Sequence, residues 1–387
     1  MRTVYLDNNA TTAVAPEALD AMMPFLTDRY GNPSSMHAFG GDVAGEIERA
    51  RERVAALVGA EHAAEILFTS CGTESDSTAI VSALEAYPDR RQVVTTRVEH
   101  PAVLSPANHL ERKGYEVVRV GVDREGNLDV AELRAALSDR TAIVSVMWAN
   151  NETGVVFPVE EIARTVKEAG AIFHTDAVQA VGKIPMQVGR TAIDMLSLSG
   201  HKIHAPKGVG ALYVRRGTKF RPFMIGGHQE RNRRGGTENV AGIVALGKAA
   251  ELAAAHIGEE RTRVAALRDR LERGMLDRIP HSVVNGNREK RLPNTLNVSF
   301  EFVEGEAILL LLDKVGVCAS SGSACTSGSL EPSHVLRAMG VPFTFAHGSI
   351  RFSLSRYNTG EDVDMVLDKL PGIVARLREI SPFTRSG

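Results

Sequence analysis

Ala171-Ile172-Phe173-His174-Thr175-Asp176-Ala177-Val178-Gln179 and, further along, Met195-Leu196-Ser197-Leu198-Ser199-Gly200-His201-Lys202 decide how this chain is to be read. Each opens on a short apolar run and closes on polar residues. Such runs are too short for helices and suit buried strands that end in a loop. Asp176 and Lys202 therefore stand where two strands end, and loops after neighbouring strands face a common cleft. An acid and an amine are expected beside one pocket.

Similar short runs recur at Glu65-Ile66-Leu67-Phe68-Thr69, Val93-Val94, Val117-Val118, Ile143-Val144-Ser145-Val146-Met147 and Gly210-Ala211-Leu212-Tyr213-Val214. Helical patterns lie between most of them. From Glu46 to Val58 the apolar residues Ile47, Ala50, Val54, Leu57 and Val58 keep a helical period that Gly59 ends, and Glu160 to Lys167 is another such segment. The alternation predicts an α/β fold, a mostly parallel sheet with helices on both faces. From about Val240 to Leu276 the pattern predicts a long pair of helices, Ala-rich and then Arg/Glu-rich, leading into a second unit. Asn294-Thr295-Leu296-Asn297-Val298-Ser299-Phe300 alternates as an antiparallel strand should. A helix through Ile308-Leu309-Leu310-Leu311-Leu312, a Ser/Gly-rich loop, the strand Ser349-Ile350-Arg351-Phe352-Ser353-Leu354 and a last helix from Glu361 complete a smaller α+β unit. The expected division is an N-terminal arm, 1–15, associated with the small unit, a large domain, 16–260, and a small C-terminal domain, 261–387.

With 387 residues, 43% hydrophobic and 24% charged, the chain is long enough for two cores, and its net charge of -2 argues against nucleic acid or an anionic membrane as main partner. No apolar run approaches the roughly 20 residues of a bilayer span, and the first residues hold no hydrophobic signal core. A cytoplasmic protein is expected. The cysteines Cys71, Cys318 and Cys325 are too few and scattered for a disulfide framework, which fits a reducing compartment. Cys318, in an apolar run, reads as structural.

The pairing of Lys202 with Asp176 fits pyridoxal phosphate, which needs a lysine for its Schiff base and a carboxylate to keep its ring nitrogen protonated. Ser199-Gly200-His201-Lys202 alone equally describes a solvated surface lysine. Ser70-Cys71-Gly72-Thr73-Glu74-Ser75 leads from a strand into a helix, where free N–H groups make an anion site, with Gly72 allowing close approach and Thr73 adding a hydroxyl. A plain capping turn is the alternative. Neither a Gly-x-Gly-x-x-Gly nor a Walker lysine motif is present, so a single phosphate suits the loop better than a dinucleotide. His100, after another strand end, can lie over a ring face and exchange protons, or be a buried structural histidine. Asn151, in Asn150-Asn151-Glu152, and Gln179 can each donate to the cofactor's phenolic oxygen. Cys325 lies in Ala319-Ser320-Ser321-Gly322-Ser323-Ala324-Cys325-Thr326-Ser327-Gly328-Ser329, whose small residues would let a thiol travel, or serve as a linker.

Tyr5-Leu6-Asp7-Asn8-Asn9-Ala10-Thr11-Thr12, Gly31-Asn32-Pro33-Ser34-Ser35, Gly72-Thr73-Glu74-Ser75, His174-Thr175-Asp176, Ser199-Gly200-His201-Lys202 and Ser321-Gly322-Ser323-Ala324-Cys325 together resemble the cysteine desulfurases of the aminotransferase class V family, in order over nearly the whole chain. Thr69 to Thr78, Val146 to Gly154 and Gly226-Gly227-His228-Gln229-Glu230 are most similar to the nitrogen-fixation branch, NifS. The resemblance implies the fold-type I architecture of pyridoxal phosphate enzymes, a homodimer with the site at the subunit interface, and an iron–sulfur scaffold protein as sulfur acceptor. It implies Lys202 as the Schiff-base lysine, Asp176 at the ring nitrogen, Gln179 and Asn151 at the phenolic oxygen, and His100 stacked on the ring. Gly72, Thr73, Ser199 and His201 would hold the phosphate, Thr237 would reach the phosphate of the other subunit, and Arg351 would fork onto the substrate carboxylate. L-Cysteine would become L-alanine, leaving a persulfide on Cys325. No intrinsic metal site is expected, with Cys325 a candidate transient iron–sulfur ligand. A housekeeping desulfurase, a selenocysteine lyase, a transaminase and a non-catalytic cluster scaffold are the rival readings.

Overall fold

The computed structural model describes residues 2–321 and 332–381. Strands are numbered along the chain: β1 Val4–Tyr5, β2 Ile66–Thr69, β3 Gln92–Thr96, β4 Glu116–Val120, β5 Thr141–Ser145, β6 Ile172–Asp176, β7 Met195–Ser199, β8 Gly210–Val214, β9 Ser282–Val284, β10 Thr295–Phe300, β11 Val317–Cys318 and β12 Ser349–Ser353. Among the described residues the main sheet has the order β2-β8-β7-β6-β5-β3-β4, parallel except that β8 runs antiparallel to both its neighbours. The expected mostly parallel α/β sheet is present.

Period-two alternation explains why it is buried on both sides. Val94, Val144, Phe173 and Leu196 point into one apolar core. Their chain neighbours Val93, Ile143, Ile172 and Met195 point into another. The first core is closed by the helix Ala38–Val58, which ends at Gly59 in the left-handed conformation as the sequence signalled, and by the helix Val240–Glu259.

A third core gathers Leu296, Val298 and Phe300 of β10, Ile350 and Phe352 of β12, the helices Gly305–Lys314 and Gly360–Ile380, and Val4 and Leu6 near the N-terminus. β10 lies between β12 and β9, antiparallel to both, while β1 pairs in parallel with β11. Val335, Leu336 and Met339 pack instead on the first core.

One expectation needs correction. Val240 to Arg278 is one continuous helix rather than a pair, because a wide π-turn at Glu260–Val264 absorbs the change from Ala-rich to Arg/Glu-rich sequence without a break. It also holds a stretch apolar and long enough, by composition, to cross a membrane. Here Ile243, Leu246, Ala249 and Ala250 are buried in the first core, so that apolarity belongs to helix packing.

The contact with Ala38–Val58 is close enough that a Cβ on Gly247 would stand 2.5 Å from the Ala50 Cα. Gly247→Ala should therefore push the two helices apart despite its better helix propensity, and lower stability by about 1–3 kcal/mol in urea titration. An unchanged or raised midpoint would contradict that packing.

Candidate active site

The acid and the amine meet because β6 and β7 pair in parallel, with Asp176 opposite Ser197. Asp176 is the last residue of β6, Ser199 the last of β7, and Gly200–Lys202 forms a tight turn straight after it. A cavity of about 510 Å³ opens at these strand ends. Gly72, Thr73, His100, Asn151, Asp176, Gln179, Ser199, His201, Lys202 and Arg351 all line it. Thr237 does not; it is exposed on the Arg233–Glu238 segment, whose Arg234 is paired with Glu74 at 2.9 Å. Cys325 lies outside the described residues.

Lys202 donates from Nζ to the carbonyls of Asn9, 2.6 Å, and Ala10, 2.7 Å. Burial, with Lys183 and Arg351 nearby, outweighs Asp7 and Asp176 and brings the amine down to about 7. Much of it is neutral near pH 7, as a nucleophilic amine must be. Burial pushes the Asp176 carboxyl up to about 6, against the Val178 N–H at 2.9 Å and the Lys202 charge. A cation at this carboxylate would restore its ionised form.

His100 caps the helix Pro101–Arg112, its Nδ1 accepting from Ala102 N at 3.1 Å. Burial first, then Lys202 and His334, holds its pKa down at about 4. The ring is neutral with its proton on Nε2. His201 is held down to about 4 in the same way, with Nδ1 3.1 Å from Thr11 Oγ1.

The residues present fit pyridoxal phosphate. The helix Gly72–Ala86 begins without a side-chain cap, so its first N–H groups are open to an anion. Any Cβ at Gly72 would come within 2.8 Å of Val178, which keeps that approach clear for glycine alone. Ser199 Oγ is buried without a hydrogen-bond partner among the described residues. Beyond this end, Arg351 donates to Asp7 Oδ1, 2.7 Å, and to the carbonyl of Asn151, 3.0 Å, while its buried Nε has no partner among the described residues. Its guanidinium is anchored and keeps N–H donors, Nε–H among them, for a carboxylate.

The sequence matches the aminotransferase class-V family over residues 4–366. It is 65% identical over 384 residues to the cysteine desulfurase of Gluconacetobacter diazotrophicus, covering 99% of this chain and 96% of that one. Against the cysteine desulfurase NifS of Azotobacter vinelandii the identity is 61% over 383 residues, covering 99% and 95%. A solved NifS-like protein superposes with a TM-score of 0.91 at 40% identity, over 97% of this chain and 100% of that one. The chain belongs to the aminotransferase class V family. Its cofactor is pyridoxal 5'-phosphate, and its architecture is that of this family.

The cavity wall also holds residues that sequence reasoning passed over. Asp76, Glu152, Ser333, His334 and Arg337 line it. Glu152 accepts from the Ser333 hydroxyl, and His334 Nε2 is 2.9 Å from the Glu99 carbonyl. Asp76 lies 3.6 Å from His174, whose ring bridges Ser145 and Ser197 at 2.9 Å each. Burial first, then the charge of Asp176, pushes Asp76 well up. Asp76 stands one helical turn past Gly72, but its burial, which marks it out, is not visible in the sequence.

Glu99, wholly buried, accepts from Met147 N and Thr96 Oγ1, and burial pushes its carboxyl up to about 8. The folded protein thus keeps a proton there that the unfolded chain, with an ordinary carboxyl near 4.5, releases. Stability from this group is full below about 4.5 and falls as pH rises towards 8. Compared with Glu99→Gln, the wild type should lose up to about 1.4 kcal/mol per pH unit across that window. Parallel urea titrations at pH 5 and 7.5 would expose a flat difference, which would refute the shift.

Proposed function

We propose that this cavity converts L-cysteine to L-alanine and passes the sulfur to Cys325 as a persulfide, for iron–sulfur cluster assembly and, in this branch, for nitrogenase metalloclusters. The chain is a cysteine desulfurase. The observation that carries the site reading is that a half-neutral amine, a buried carboxylate and an anchored guanidinium line one cavity.

When bound, the cofactor supplies an electron sink beside the substrate Cα. The N–H groups at Gly72 and Thr73, with Ser199 and His201, hold its phosphate. Asp176 would keep the proton on its ring nitrogen, and Gln179 and Asn151 would serve its phenolic oxygen. Arg351 orients the substrate carboxylate. Lys202, as a neutral amine, would take the Cα proton and return it to carbon. His100, neutral and donating from Nε2, moves protons at the substrate sulfur and amine. The Cys325 thiolate attacks that sulfur: one S–S bond forms and one C–S bond breaks. L-Cysteine plus thiol yields L-alanine plus persulfide, with no external oxidant. Ser320 is hydrogen-bonded to Arg351 through backbone, and Pro332 lines the cavity. Cys325 is five residues from Ser320, a reach of at most about 18 Å.

The reading includes a homodimer, an iron–sulfur scaffold protein as acceptor and a cytoplasmic location. Exposed Met36 and Ile225 support a second copy, as does the exposure of Thr237 away from its own chain's cavity. The division at 1–15, 16–260 and 261–387 belongs to the same reading, supported by the separate apolar cores.

Borohydride should fix the chromophore to Lys202, and reduction onto another residue would refute its role. Cys325→Ala should bind L-cysteine yet lose alanine production by orders of magnitude, and wild type exposed to L-cysteine without reductant should carry extra sulfur on the Cys325 peptide only. Full turnover in that variant would favour the selenocysteine lyase reading. Arg351→Lys should raise KM for L-cysteine roughly 10- to 100-fold. Inactive Lys202→Ala and Thr237-loop variants should regain activity when mixed, through hybrid sites; a fully active monomer in sedimentation would exclude this.

A further inference from the structure

Behind the cavity lies a second buried amine that the reaction outlined above does not use. Lys183 follows Gly182 in the turn after β6, one turn beyond Gln179, and its Nζ donates to Gln179 Oε1 at 3.3 Å. Gly182 has φ +76°, and a Cβ there would stand 3.0 Å from Ile203 and 3.1 Å from Ala253, so the turn sits tight against the Lys202 turn and the long helix. A small cavity of about 20 Å³, room for one water, joins Lys183 to Lys202, His204 and Glu260. Glu260 opens the π-turn that interrupts the long helix, and its buried Oε2 has no hydrogen-bond partner among the described residues. The π-turn thus brings an acid behind Lys183 at the depth where Lys183 backs onto Lys202.

We propose that Lys183 is a positioning residue of this site: its ammonium holds the amide oxygen of Gln179 from behind, turning the amide nitrogen forward, and stands as a fixed second cation behind Lys202. This rests on the reading of Lys202 and Gln179 as cofactor-binding residues. A two-faced amide has no preferred orientation of its own, and a cation at the oxygen supplies one. The amide nitrogen then donates to the Asn9 carbonyl at 3.0 Å, on the cavity side. Lys202 is faced by Lys183 and Arg351 as cations and by Asp7 and Asp176 as anions, with neutral His100 and His201 beside it. Lys183 is faced by Glu260, Arg351, Arg356, His204 and His256. Glu260 keeps Lys183 charged in a site where burial alone would neutralise it, and Lys183 in turn favours the neutral amine at Lys202. The same charge opposes protonation of a Schiff base on Lys202.

The test is a spectroscopic pH titration of the loaded, full-length protein, following the midpoint of the visible cofactor band. Lys183→Met and Lys183→Gln should both raise that midpoint by about one pH unit, roughly a tenfold change in the protonated fraction. Lys183→Arg, which keeps the charge, should stay close to wild type. Unmoved midpoints in folded Met and Gln variants would overturn the proposal, as would an Arg variant that shifts as far as Met. Failure of all three to fold would make Lys183 a packing residue and overturn it too. Borohydride reduction of the wild type tests the role of Lys202 separately, so the two failures are distinguishable.

Discussion

The parallel pairing of β6 with β7 is the constraint on which the site depends. Asp176 stands opposite Ser197, and the chain then has only Leu198 and Ser199 before it turns. Gly200 donates to the Val209 carbonyl at 3.0 Å, in a place where any Cβ would lie 3.0 Å from that same oxygen. The turn therefore closes at one point, and Lys202 projects over the end of β6. A one-residue slip of β7 would turn its alternating faces over and carry Lys202 away from Asp176. The two apolar cores on either side of the sheet fix that register, since Met195 and Leu196 each have one face to fill.

A second constraint is the short arm that joins the cores across the cavity. Asn9 accepts from Lys202 and Gln179 at its carbonyl, donates its side-chain amide to the Asn151 carbonyl and Thr295 Oγ1, and accepts from Asn294. Its N–H donates to Ser353 Oγ. One buried amide thus ties the lysine turn to β10 and β12. Each bond contributes about 0.5–1.5 kcal/mol, but losing one partner would leave buried donors stranded at a larger cost. Asp7 extends the same tie by gripping Arg351. The arm is short and still buried because Val4 and Leu6 anchor it in the third core.

What could be read in advance follows from periodicity and chain position. Strand runs were legible because both faces of the sheet are buried, and Asp176 and Lys202 because they end such runs. The continuity of the long helix was hidden by a π-turn that leaves no glycine or proline to mark it. Asp76, Glu99, Glu152 and Lys183 were illegible for another reason. Charged residues are read as solvated faces, and nothing local says that Asp76 lines the cavity, that Glu99 is buried beside Met147 or that Lys183 is packed underneath. Burial of a charge is a tertiary fact. The strained stretch Glu230-Arg231-Asn232, with φ of +47°, +58° and +63°, is similar. Its anchor is the buried pair of Glu230 with Arg51, 2.7 Å, from a helix far back in the chain.

These buried charges have a common logic. Low dielectric penalises every ionised group, so the acids drift up and the amines and imidazoles drift down, each towards neutrality. The site is not balanced pair by pair. Its cations are Lys202 at the lysine turn, Lys183 in the turn after β6 and Arg351 on β12, while Asp76, Glu99 and Asp176 cluster at the ends of β3 and β6 and the start of the Gly72–Ala86 helix. In the proposed reading, a cationic ring nitrogen at Asp176 and a carboxylate at Arg351 would bring opposite charge to the respective groups. Each contact relieves a desolvation penalty already present in the folded chain, so binding needs little rearrangement of the groups that bind. The register of β6 against β7 holds the Asp176 carboxyl and the Lys202 amine in place at the ends of two adjacent strands, so in the proposed reading the charge that would bind ligand and move protons is set before anything binds.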